Sequence, residues 1–91
     1  MPPRYTIEVQ QTAEKVLRRL PRDLKERITA AIFGLEANPR PPGALPLKGQ
    51  YSTWRIRVGD WRVIYTIEDE RLIVLVVKIG PRADFHRNLG G

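Results

Sequence analysis

The chain has 91 residues, no cysteine and a net charge of +6, with a pI of about 10.3. Its length fits one domain, residues 1–91, whose thin core buries roughly 60–65% of the unfolded chain's surface and leaves little room for a bulky cofactor. Without cysteine there are no disulfides or thiolate metal sites, which suits a reducing cytoplasm.

Tyr5-Thr6-Ile7-Glu8-Val9 alternates and is rich in strand formers, so it predicts a first strand. The residues before it, Met1-Pro2-Pro3-Arg4, lack the apolar run of a signal peptide. Thr12 is a candidate cap for a short helix with Val16, Leu17 and Leu20 as its apolar stripe. Pro21 interrupts that stripe. A second helix restarts at Arg22-Asp23, with Leu24, Ile28, Ala31, Ile32 and Leu35 at helical spacing. Asn38-Pro39 is expected to end it, because the residue before a proline avoids the helical region.

Residues 38–50 hold four prolines and two glycines and predict a stiff crossover without regular structure. Three strands follow. Trp54 to Val58 alternates strictly, Gly59-Asp60 makes a turn, and Trp61 to Ile67 runs back. Glu68-Asp69-Glu70 then turns into Leu72–Ile79, whose apolar run is far too short to span a bilayer, so a soluble, cytoplasmic protein is expected. Arg82 to Leu89 predicts a short C-terminal helix. The expected fold is α+β, in the order β-α-α-β-β-β. Two helices pack on one face of a largely antiparallel four-stranded sheet.

Alternation sorts the two sheet faces. Trp54, Ile56, Val58, Trp61, Val63, Tyr65 and Ile67 point toward the helices, so both tryptophans and Tyr65 belong to the core. Arg55, Arg57 and Arg62 then share the outer face, with Arg82 closing one side. Like charges opposed across strands repel, so a face selected only for stability would interleave acids. The outward positions of these two strands hold none, and the acids fall in the turns. Arginine outnumbers lysine twelve to four, and its planar fork suits phosphate oxygens. A polyanion is the expected ligand, against the plainer reading of a solvated charged face.

Lys48 and Tyr51 in the crossover, Lys78 on the last strand and Arg87 beyond it are further candidates for contact with such a polyanion. Tyr51 serves equally as a packing lid. His86 is the single histidine. It has no partners for a metal site, but it is the one side chain whose ordinary pKa suits proton transfer near neutrality. No Walker loop, dinucleotide fingerprint, zinc motif or serine-hydrolase elbow occurs, and neither cofactor nor metal is expected.

Four segments resemble the RelE/ParE toxin superfamily in order and spacing. They are Val16-Leu17-Arg18-Arg19-Leu20-Pro21, Pro46-Leu47-Lys48-Gly49, Trp54 through Tyr65, and Ile79-Gly80-Pro81-Arg82-Ala83-Asp84-Phe85-His86-Arg87. The resemblance implies a toxin held in a hetero-oligomer by an antitoxin with an acidic segment. For the RelE branch it also implies metal-independent cleavage of mRNA on the ribosome. By that resemblance Arg62 and Arg82 stand at phosphate-stabilising positions. Arg55 and Arg57 stand where lysines are common, and His86 stands at or near the place of a C-terminal tyrosine. These departures keep two other readings open: a ParE-like inhibitor of DNA gyrase, and a basic RNA- or ribosome-binding module without catalysis.

Overall fold

The computed structural model describes residues 4–50 and 52–82. Its elements are β1 (Thr6–Val9), α1 (Gln11–Arg18), α2 (Arg22–Gly34), β2 (Leu45–Pro46), β3 (Thr53–Val58), β4 (Trp61–Glu68) and β5 (Ile73–Pro81). They build one five-stranded sheet in the order β1-β5-β4-β3-β2, with β1 parallel to β5 and every other pair antiparallel. Helix α1 lies against β5 and α2 against β3, so both helices cover the same face. The expected α+β layering is therefore present, with one strand more than the alternation implied.

That extra strand comes from the proline-rich crossover. Leu45 and Pro46 pair with Arg55 and Trp54 at the sheet's edge, where a residue lacking an N–H is tolerated because one side of the strand faces no partner. Leu47 then donates its N–H to the Thr53 carbonyl at 2.8 Å. Two helix boundaries also differ from expectation. Thr12 does not cap α1: Gln10 occupies that position, without a side-chain cap bond. The Gln10 N–H donates to the Val76 carbonyl at 2.9 Å, so the parallel ladder reaches residue 10 and the helix begins at once. Helix α2 stops at Gly34, ahead of Asn38-Pro39. Glycine is a weak helix former, and the Glu36 carbonyl just beyond accepts from the Tyr5 N–H at 2.9 Å.

The core lies between helices and sheet. Ile28 and Leu35 from the helical layer meet Val63, Tyr65, Val74 and Val76 from the sheet, all fully buried. Trp54 and Trp61 are partly buried and pack against this cluster, as alternation required. The Tyr65 hydroxyl donates to the Pro39 carbonyl at 2.7 Å, which fastens the crossover over the inner face. Burial pushes the pKa of that phenol up to about 12.

Candidate phosphate-binding face

The outer face of the sheet follows from strand register. Across the β3–β4 hairpin Arg57 is the direct partner of Arg62, and Arg55 the partner of Ile64. The turn that makes this register is Gly59-Asp60, where Gly59 takes φ +60°, a conformation glycine reaches without penalty. Arg82 follows β5 immediately, and its N–H donates to the Asp60 carbonyl at 2.8 Å. The residue after the last strand is thereby tied to the same hairpin. Arg27 of α2 adds a fifth guanidinium nearby, with Nη2 3.4 Å from where a side chain at Gly59 would begin.

Among the described residues, the arginines at this end of the sheet make no ion pair. The ion pairs among the described residues are Arg18–Glu14, Arg22–Glu26, Arg40–Asp69 and Arg71–Glu68, and none includes Arg55, Arg57, Arg62 or Arg82. The Arg62 guanidinium is held below its ordinary pKa, first by burial and then by the positive charges of Arg55, Arg57 and Arg82. Arg55 is lowered by burial and by Arg57, and its Nη1 is buried with no acceptor among the described residues. A guanidinium remains a cation at neutral pH in spite of such shifts. The arrangement therefore stores repulsion that an anion would relieve.

The four arginines expected to share a face do so, and the structure adds detail that alternation could not supply. Lys78 reaches this face through a β-bulge. Ile64 pairs with Lys78 but Tyr65 pairs with Val76, leaving Val77 as an extra residue. Counting every second residue from Val74 would put Lys78 inside; the bulge turns it outward and buries Ile79 instead. Ile64 points outward yet is only 6% exposed, an apolar floor beneath the cations, whereas Leu45, beside Arg55 on the same face, is 49% exposed. The expected lack of outward acids needs one correction, because β4 continues through Glu68. Glu68 and Glu8 both lie toward the opposite end of the face from the Gly59-Asp60 hairpin, and Glu68 is paired with Arg71.

Lys48 is exposed in the loop between β2 and β3, at the end of the sheet away from that hairpin, and is not brought to the arginine cluster. Tyr51, His86, Arg87 and nearly all of the expected C-terminal helix lie outside the described residues. Among the described residues no group of three or more histidines, cysteines or carboxylates is gathered to hold a metal ion.

Comparison with known proteins decides the family. Residues 7–84 match the sequence profile described as "ParE toxin of type II toxin-antitoxin system, parDE". The chain belongs to the ParE toxin family, within the RelE/ParE superfamily. Toxin RelG of Mycobacterium tuberculosis is 32% identical to this toxin over 85 residues, covering 91% of this chain and 97% of that one. The archaeal RelE–RelB complex from Pyrococcus horikoshii OT3 superposes with a TM-score of 0.77 at 28% identity, over 86% of this toxin and 94% of that chain. The toxin–antitoxin complex RelBE2 of Mycobacterium tuberculosis gives a TM-score of 0.74 at 26% identity, over 87% and 99%. This is a RelE-like toxin of a toxin–antitoxin system.

Proposed function

We propose that this toxin is an endoribonuclease that cuts mRNA in the ribosomal A site, in the cytoplasm, and is silenced by an antitoxin. The observation that carries the reading is Arg57 facing Arg62 across the hairpin, with Arg55 and Arg82 close enough to perturb Arg62 and no carboxylate among the described residues pairing any of them. Such a cluster opposes folding and offsets that cost when it meets a phosphodiester.

In the proposed reaction the ribose 2′-oxygen attacks the adjoining phosphorus as its proton departs. The bond from phosphorus to the 5′-oxygen breaks, and that oxygen takes up a proton. The products are a 2′,3′-cyclic phosphate and a 5′-hydroxyl. Arg62 and Arg82 stabilise the charge that builds on the phosphoryl oxygens, each contributing roughly 10²–10³ in rate by analogy with oxyanion donors. Arg57 assists them and orients the phosphate, while Arg55 holds the RNA strand beside it. Fixed guanidiniums supply this stabilisation without a metal ion.

Arginine is a poor proton acceptor at neutral pH, so proton transfer falls to His86. His86→Ala is then expected to reduce cleavage far more than ribosome binding, and equal losses in both would reject that role. Lys78 supports RNA contact from the same face. Lys48, Tyr51 and Arg87 extend that contact along the bound RNA. The antitoxin reading is supported by the superposed RelE–RelB and RelBE2 structures, which are complexes. An acidic antitoxin segment that orders on the arginine face would block it and release it on proteolysis.

The test is end-mapping of transcripts after brief expression, with Arg62→Ala as control. Discrete cuts within codons bearing cyclic-phosphate ends, lost in the variant, are expected. A second reading, inhibition of DNA gyrase, is favoured by the name of the matching family. It predicts damaged DNA with intact message in the same experiment.

A further inference from the structure

The cations of the outer face form two rows. Arg57 and Arg62 are cross-strand partners in the first, and Arg82 adjoins it through the Asp60 carbonyl. Two residues further along the strands lies the second row, Leu45, Arg55, Ile64 and Lys78, four register partners on four successive strands. Two strand residues span about 6.6 Å, close to the spacing of successive phosphates along an extended single strand. The Arg55 guanidinium lies near enough to Arg62 to perturb it, so a strand whose scissile phosphate sits on the first row brings its neighbouring phosphate within reach of the second. The second row also differs in chemistry from the first, since its cations are interleaved with apolar side chains. Leu45 is half exposed next to Arg55, and Ile64 is buried between Arg55 and Lys78.

We infer that the second row is a separate subsite, in which Arg55 takes the phosphate next to the one cleaved and Leu45 offers its nucleoside an apolar surface. A nucleotide unit is charged at phosphate and apolar on the faces of its base, which suits this alternation better than it suits an inorganic anion. The Arg55 Nη1 group, buried with no acceptor among the described residues, is the unsatisfied donor that a neighbouring phosphate would draw out and pair. The substrate is thus a strand with at least two consecutive phosphates, read by two rows of one sheet. This rests on the nuclease reading, and Arg55 acts as a binding residue distinct from Arg62.

The experiment is single-turnover cleavage on ribosomes carrying mRNA with one neutral methylphosphonate linkage. The neutral linkage is placed immediately 5′ or 3′ of the cut, with the scissile linkage and its 2′-hydroxyl intact. At one of the two positions the neutral linkage should raise the half-saturating toxin concentration about tenfold, the loss of one charged hydrogen bond, without changing the rate at saturation. Arg55→Gln should show the same rise on natural mRNA and no further rise with the neutral linkage. Arg55→Lys should recover part of the loss, which separates lost charge from a damaged fold. Arg62→Gln should lower the rate at saturation and stay sensitive to the neutral linkage. The inference is overturned if neither linkage matters, or if its penalty multiplies undiminished with that of Arg55→Gln. A wild-type toxin that leaves natural mRNA uncut would instead overturn the nuclease reading together with this subsite.

Discussion

Two arginine environments in this molecule differ above all in the presence of a carboxylate. Arg40, in the crossover, is gripped by Asp69 through two hydrogen bonds at 3.2 and 2.9 Å. Its guanidinium lies 5.3 Å from the centre of the Trp54 ring, and Asp69 also accepts from the Tyr5 hydroxyl at 2.6 Å. The Arg40 guanidinium and the Tyr5 hydroxyl beside Asp69 hold its carboxyl down at about 2. At the hairpin end of the outer face, Arg55, Arg57, Arg62 and Arg82 have neighbours of their own sign and no ion pair among the described residues. One arginine joins the crossover to the β4–β5 turn and to the residue preceding β1. The others, on the proposed function, meet an anion from outside. The sequence holds both kinds of arginine, and the fold separates them.

The contrast can be broken most severely at Arg62. Arg62→Ala should lower the cleavage rate by roughly 10²–10³ while thermal unfolding stays at or above the wild-type midpoint; a folded variant that still cuts at the normal rate would remove Arg62 from the reaction. The reverse pattern belongs to the crossover. Tyr65→Phe removes the donor to the Pro39 carbonyl and should destabilise by about 1–3 kcal/mol in denaturant titration, with cleavage by the folded protein unchanged. The raised phenol pKa gives this contribution a pH limit. It is fully present below pH 10 and fades as pH rises through about 12.

Asp69 titrates in the opposite sense. Its folded pKa is depressed from 3.8 to about 2, so its stabilisation holds above about pH 4 and is lost as pH falls toward 2. Asp69→Asn should erase that acid-side loss in unfolding measured against pH, and an unchanged profile would deny the carboxylate its role. The smallest effect sharpens the comparison from the other side. Arg57→Gln relieves repulsion against Arg62 and should raise stability by some tenths of a kcal/mol while weakening RNA binding.

Where side-chain alternation is regular, the sequence was sufficient. Trp54 to Val58 keeps strict period, Trp61 to Ile67 departs from it only at Ile64, and the two-residue turn between them puts Arg62 across from the Arg55/Arg57 pair, which was legible from order alone; the register then singles out Arg57. The helical stripe through Ile28, Ala31, Ile32 and Leu35 was equally clear. Legibility failed where period breaks or where partners are distant in sequence. The bulge at Val77 leaves no mark, because every residue from Leu72 to Val77 is apolar and no period can be read, so the facing of Lys78 emerges only from the strand register. The pairing of Leu45-Pro46 with β3 runs against proline's usual meaning, since edge position outweighs composition. Arg40 and Asp69 are 29 residues apart, and nothing local distinguishes them from the arginines and acids that stay unpaired.

The central claim is that the outer-face arginines bind RNA phosphate and the crossover arginine does not. Measuring affinity for mRNA-programmed ribosomes against salt tests it directly, because each phosphate that a variant fails to neutralise should flatten the log–log slope by about 0.7 for a single strand. Arg55→Gln, Arg57→Gln, Arg62→Gln and Arg82→Gln should each flatten it by that amount, and Arg40→Gln should leave it unchanged. Equal slopes for the Arg40 and Arg62 variants would contradict the account.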